Sequence, residues 1–193
     1  MPPPLVLASA SRYRRELLER LGVPFRALPA QCDEDALKDP SLSPGDLAAL
    51  LALAKAESLR WQEPESVIIG SDQVAALGDQ ILHKPGTTSV AEEQLALLSG
   101  REHALHTAIA VVHPGGTLRH LDVTHLTMRP LNRQAIARYV AHDQPLDCAG
   151  SYRLESRGVA LFSSITSADH TAIIGMPLMA LASMLASLGY EIP

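Results

Sequence analysis

Val67-Ile68-Ile69-Gly70-Ser71-Asp72-Gln73-Val74 decides how the rest of the chain is read. Three consecutive β-branched residues predict a buried strand, and the chain then delivers a carboxylate instead of another apolar side chain. In open α/β sheets ligands sit outside the carboxyl ends of such strands, so Asp72 is placed where chemistry commonly occurs. An Asp after a strand also caps turns, and position alone leaves both roles open.

Working outward, Leu5 to Ala8 predicts a first strand. A helix follows from about Arg12 to Leu21, with Leu17, Leu18 and Leu21 on one face and Gly22 as its stop signal. Phe25 to Leu28 is a short second strand, and Pro29 to Pro44 is an acidic loop. Ser43 caps a helix with Pro44 at its first position; it runs to about Trp61 and buries Leu47, Leu50, Leu51 and Ala54. Gly78-Asp79 predicts a hairpin after the Val67 strand. Ser89-Val90-Ala91-Glu92 reads as a capping box opening a helix that closes at Gly100.

Two long strands, His103 to Val112 and Leu118 to Met128, are joined by Pro114-Gly115-Gly116 and predict an antiparallel ribbon. Asn132 caps a helix to about Ala141, a loop spans Asp147 to Ser156, a strand covers Val159 to Ile165, and Pro177 to Leu188 is the last helix. Hairpins interrupt the strand–helix alternation. The expected fold is therefore α/β, a mixed twisted sheet with helices on both faces. Without an internal linker or repeat, residues 1–193 are expected to form one domain, with two lobes around a cleft.

Of 193 residues 47% are hydrophobic and 19% charged, which excludes a disordered chain. The net charge of −5 argues against a nucleic-acid binder but leaves room for a local basic cluster facing a small anion. Two distant cysteines, Cys32 and Cys148, form neither a disulfide framework nor a zinc pattern and read as buried free thiols of a reducing compartment. The N-terminal segment lacks the features of a signal peptide, and no apolar run is long enough to span a bilayer. A soluble cytoplasmic protein is expected.

Ser9-Ala10-Ser11 leads into a helix whose first turn carries Arg12, Arg14 and Arg15. Hydroxyls and free backbone N–H groups at a helix N-terminus suit an anion. Arginines in that turn oppose the helix dipole unless an anion is bound. The competing reading turns them into solvent, paired with Glu16 or Glu19. Lys55 stands among alanines and leucines and Lys84 at the end of the Gly78 hairpin; singly each reads as a solvated charge, whereas together with Asp72 and the arginines they could hold a polyphosphate. Glu34 offers a second carboxylate; with Asp72 it is a candidate Mg²⁺ ligand, or only part of a solvated acidic loop. The dispersed histidines do not form a metal site, and no nucleophile elbow is present.

These segments, in this order and spacing, resemble the Maf family of nucleotide pyrophosphatases, whose relatives include the inosine-triphosphate pyrophosphatase fold. The likeness runs through Leu5-Val6-Leu7-Ala8-Ser9-Ala10-Ser11 with Arg14 and Arg15, Asp33-Glu34, Lys55-Ala56-Glu57-Ser58-Leu59, Ile69-Gly70-Ser71-Asp72-Gln73-Val74 and Lys84-Pro85. It continues in Cys148-Ala149-Gly150-Ser151-Tyr152 and Ile174-Gly175-Met176-Pro177-Leu178. Gly-Ser-Asp-Gln-Val and Cys-Ala-Gly-Ser look like the branch acting on 7-methyl-GTP.

The resemblance implies hydrolysis of the α–β phosphoanhydride to a nucleoside monophosphate and pyrophosphate, with Asp72 as proton acceptor. It implies phosphate contacts from Ser9, Ser11, Arg14, Arg15 and Lys55, catalytic support from Lys84 and Glu34, and a divalent cation (Mg²⁺ or Mn²⁺) at Glu34 and Asp72. Base selection falls to Tyr13, Gln73 and Glu155. N7-methylation makes guanine cationic, so stacking on Tyr13 gains about 0.5–2 kcal/mol, and Glu155 can accept from N1 and N2. A homodimer is the implied assembly. The alternatives are a dTTP/UTP pyrophosphatase of the same family, or a nucleotide-binding regulator of septum formation without catalysis.

Overall fold

The structure, a computed structural model, describes residues 2–192. Chain order is β1 (Leu5–Ala8), α1 (Arg12–Glu19), β2 (Arg26–Leu28), α2 (Pro44–Glu57), β3 (Val67–Leu77), β4 (Gln80–Leu82) and α3 (Thr88–Leu98). After these come β5 (Glu102–His113), β6 (Gly116–Met128), α4 (Arg133–Asp143), β7 (Phe162–Thr166), α5 (His170–Ile174) and α6 (Leu178–Ser187). The strands form one mixed sheet in the order β2-β1-β3-β5-β6-β7, with β4 attached to the far end of β3. The expected mixed α/β architecture is thus present.

The pairing of β3 creates the cleft. Its first three residues, Val67 to Ile69, run parallel to Leu5 to Leu7 of β1. Its last three, Ala75 to Leu77, pair with β4. Along the other edge β5 pairs continuously from Ile68 to Ala76. Between β1 and β4 one edge of β3 is therefore open, and Asp72 lies in that fork. The sequence reading placed Asp72 beyond the end of a short strand; it is instead in the middle of an 11-residue one. The ladder with β5 keeps the polar Ser71-Asp72-Gln73 run extended, while β1 ends beside it.

Separate apolar cores lie on either side of the fork. One packs Leu5, Leu7, Leu17, Leu18, Met176, Leu181 and Leu185 around β1, α1 and α6. The other packs Leu95, Leu98, Leu126, Ile136, Tyr139, Tyr152 and Phe162 around α3, α4 and the far half of the ribbon. α2 crosses between them over β3 and β5. Its buried stripe is Leu47, Ala48, Leu51, Ala52, Lys55 and Ala56, with Leu50 and Ala54, expected inside, only half-buried. Gly70 permits this crossing: a Cβ there would lie 2.0 Å from the Ala52 carbonyl oxygen.

Other expectations shift locally. α2 ends at Glu57 and continues only as turns. The cap of α3 is Thr87, whose side chain accepts from the Val90 N–H, while Ser89 donates to Glu93. The strand expected from Val159 begins only at Phe162, because Arg157–Leu161 is a 3-10 turn. A Cβ on Gly158 would meet the Arg153 carbonyl oxygen at 2.2 Å, so the chain is folded tightly on itself there. α5 has no counterpart in the sequence reading. Both cysteines are half-buried, not buried. No helix among the described residues is long and apolar enough to cross a membrane.

Candidate active site

Side-chain alternation along β3 sends Gly70, Asp72 and Val74 toward α2, and Ser71 and Gln73 toward the α5 segment. Lys55 lies between Ala52 and Ala56 on the face of α2 that meets Gly70, so its ammonium reaches Asp72. Nζ lies 2.6 Å from Asp72 Oδ1 and 3.0 Å from Glu34 Oε2. Lys55 is 6% exposed and Asp72 8%. A buried ion pair seldom repays its desolvation as net stability, which makes this pair, lining a cleft, a candidate for chemistry. The loop between β2 and α2 brings Glu34 to the same ammonium with its side chain half exposed.

The cleft has a volume of about 1040 Å³ and is walled by both lobes. That is at the upper end for small-molecule sites and accommodates a nucleotide. On the β1 side stands the N-terminus of α1. Ser11 is its cap, accepting from the Arg14 N–H, and Ser9 accepts from the Ser11 N–H. The N–H groups of Arg12 and Tyr13 have no protein acceptor among the described residues, which leaves them for an anion. Arg14 lines the cleft and donates from Nε to the Gly175 carbonyl at 3.2 Å.

Arg12 pairs with Glu16 at 3.5 Å, and its guanidinium lies 5.1 Å from the centre of the Tyr13 ring. Arg15, expected at the phosphates, is not in this cleft. It faces a separate depression with Glu19, Val23 and Phe25, because one residue along a helix turns the side chain by about 100°. Lys84 lies on the opposite lip, exposed and without an ion pair among the described residues.

Tyr13, Gln73 and Glu155 also line the cleft. Gln73 Nε2 donates to Thr107 Oγ1 and to the Ala172 and Ile173 carbonyls at 2.9, 2.9 and 3.1 Å. Those carbonyls fix the amide orientation, so of the donor and acceptor an amide can offer a ligand only Oε1, the acceptor, remains. Burial raises the Tyr13 phenol; Arg153 pulls it down, while Asp147, Cys148 and Glu155 push it up.

Those neighbours include residues the sequence reading missed. Arg153 binds Asp147 Oδ1 at 2.5 Å and reaches the Cys148 sulfur at 3.4 Å. Burial pushes the Cys148 thiol up to about 11. Separations of five and six residues exceed one helical turn and would hold the groups far apart along a strand, so only the folded loop brings them together. Lys38 is the other unanticipated cation, paired with Asp35 at 2.6 Å.

The fold has solved counterparts. The Ham1 protein of Staphylococcus aureus superposes with a TM-score of 0.55 at 14% identity, covering 95% of this chain and 98% of that one. The HAM1 protein of Coxiella burnetii gives 0.50 at 15%, covering 96% and 99%. Residues 4–188 match the Maf-like protein family, and the chain belongs to it. Among its relatives, the 7-methyl-GTP pyrophosphatase of Alkalilimnicola ehrlichii is 45% identical, over 98% of this chain and 96% of that protein. The protein of the same name from Bordetella pertussis is 47% identical over 99% and 95%.

Proposed function

We propose that this chain hydrolyses 7-methyl-GTP between the α and β phosphates, releasing 7-methyl-GMP and pyrophosphate, with residues 1–193 as a single catalytic unit. The observation that carries the reading is the buried Asp72 carboxylate, held at 2.6 Å by Lys55 in the fork of β3 and lining the same cleft as the α1 N-terminus and Arg14. Asp72 accepts a proton from the attacking water as its oxygen bonds to phosphorus, and the bridging P–O bond breaks toward pyrophosphate. Lys55 fixes which oxygen of Asp72 remains free for that proton. Ser9, Ser11, Arg14 and the free N–H groups of α1 bind the phosphate oxygens, and Lys84 closes on them from the opposite lip.

Glu34 and Asp72 are the residues that would hold a divalent cation, Mg²⁺ or Mn²⁺. They flank one ammonium, and no group of three His, Cys, Asp or Glu side chains among the described residues offers a fuller cage. Two carboxylates completed by substrate oxygens is the donor set Mg²⁺ commonly takes. When bound, the ion neutralises charge on the polyphosphate.

Tyr13 stacks on the cationic base. Glu155 and Gln73 Oε1 are both acceptors, matched to the N1 and N2 donors of guanine and mismatched to a pyrimidine carbonyl. The relatives' name, 7-methyl-GTP pyrophosphatase, supports the same base. The working protein in this proposal is a cytoplasmic homodimer; Leu121 and Val123, exposed on one face of β6, suit such a contact, and light scattering tests it.

Pyrophosphate release is to be measured with 7-methyl-GTP, GTP, dTTP and UTP in parallel. The highest kcat/KM is expected for 7-methyl-GTP. A preference for dTTP or UTP would reverse the base assignment, and tight binding without turnover of any of the four would replace the enzyme with a nucleotide sensor.

A further inference from the structure

We infer that Asp169 and Thr171 are positioning residues for the cleft, acting through three backbone carbonyls that aim Arg14 and Gln73. Both are buried, at 4% and 5% exposure. One oxygen of Asp169 accepts from the Thr171 N–H at 2.9 Å and from the Thr171 hydroxyl at 2.6 Å. The other accepts from the Met179 N–H at 2.7 Å. Thr171 Oγ1 in turn accepts from the Leu178 N–H at 2.9 Å. One carboxylate therefore ties the start of α5 to the start of α6. Its carboxyl lies below the ordinary range: burial pushes it up, and the three donors together more than offset that.

Between these two ties runs the segment whose carbonyls do the aiming. Ala172 and Ile173 take the Gln73 amide, and Ala172 also takes the Thr107 hydroxyl at 2.9 Å. The Gly175 carbonyl takes Ser71 Oγ at 2.8 Å and Arg14 Nε at 3.2 Å. Gly175 has φ of 128°, a conformation open to glycine, and it turns the chain so that its carbonyl reaches both donors. The same short segment thus sets the phosphate end of the site through Arg14 and the base end through Gln73. A loosened segment would let the Gln73 amide rotate, presenting a donor where the site needs an acceptor.

A purely structural cap would lower activity toward every nucleotide in proportion to lost folded protein. Positioning instead alters discrimination between bases. The inference rests on the reading that Arg14 and Gln73 face a nucleotide, and the experiment separates the two. Thr171→Val removes the hydroxyl at nearly constant volume, Thr171→Ser keeps it, and Asp169→Asn removes the second acceptor while keeping the first.

For each folded variant, kcat/KM and Kd are measured for 7-methyl-GTP and for UTP. T171V and D169N should reduce the ratio between the two nucleotides by about tenfold, the usual scale of one misplaced buried polar contact, while T171S stays within about twofold of wild type. An unchanged ratio in folded T171V, or equal losses for both nucleotides, would overturn the inference. If T171V does not fold, D169N is judged by the same ratio. A wild type that prefers UTP, or binds without turnover, would sink the proposed function, yet the Kd ratio would still decide the positioning role.

Discussion

Gly70→Ala is a one-methyl test of how packing governs the site. Gly70 does not adopt a positive φ, so alanine is conformationally acceptable and the effect is steric. The new Cβ would lie 2.0 Å from the Ala52 carbonyl oxygen and 2.8 Å from the Ala56 nitrogen, whereas ordinary contact begins at 3.4 Å. The backbone of α2 must therefore retreat from β3 by about 1.4 Å, since no flexible side chain can yield in its place.

Ala52 and Ala56 flank Lys55, so the retreat stretches the 2.6 Å Lys55–Asp72 contact past hydrogen-bonding range. Overpacking of this kind costs about 3 kcal/mol, the upper end of its usual range, or roughly 6–12 °C in Tm for a chain of this size. A displacement of about 1 Å in a catalytic group can cost about 10²-fold in turnover. The assays are Tm and kcat for 7-methyl-GTP, with Gly22→Ala as control. Gly22 has φ of 68° and nothing within 4 Å of its added Cβ, so its alanine lowers Tm slightly and leaves kcat alone. Wild-type kcat in folded G70A would refute the claim that the α2–β3 contact sets the Lys55–Asp72 geometry.

Other expectations follow from single groups. His103 is buried beside Tyr152, its Nε2 2.8 Å from the hydroxyl, and burial lowers its pKa from 6.5 to about 4. The unfolded chain therefore binds more protons between those values: stability is full above pH 6.5 and falls toward pH 4 by up to about 3 kcal/mol. Denaturant titrations at pH 7.5 and 4.5 should show a smaller drop in His103→Asn than in wild type. Arg14→Ala should lower kcat/KM by about 10²-fold, whereas Arg15→Ala, facing the other depression, should stay within about twofold. Equal losses would place both arginines at the phosphates. Tyr13→Ala should raise KM for both nucleotides through lost stacking, and for 7-methyl-GTP by a further factor of roughly two to thirty, because only the methylated base also loses the cation–π contribution. Equal effects on both bases would remove stacking charge as the basis of selection.

Much of this architecture was legible because local and tertiary signals agree. The β5–β6 ribbon has two long runs and a Pro-Gly-Gly connection. α2 carries a Ser-Pro start and an apolar stripe; Lys55, which singly reads as a solvated charge, is buried on that stripe because Asp72 and Glu34 meet its ammonium. The misses have physical causes. The polar Ser71-Asp72-Gln73 run argues against a continuing strand, yet β5 supplies its hydrogen-bond partners and overrides that signal. Thr87, Thr88 and Ser89 are all competent caps, and only coordinates show which hydroxyl meets the Val90 N–H. α5 is five residues long, too short for a helical period. Arg14 and Arg15 share charge and neighbours, so their division between two cavities depends on the exact phase of α1. Asp147 and Arg153 meet only because the loop between α4 and β7 doubles back.

Asp72→Asn tests the central claim most directly, since the amide preserves shape and removes the proton acceptor. Steady-state pyrophosphate release from 7-methyl-GTP should fall by about 10²–10⁴-fold in folded D72N, with nucleotide still bound. Turnover within two- or threefold of wild type would contradict the account.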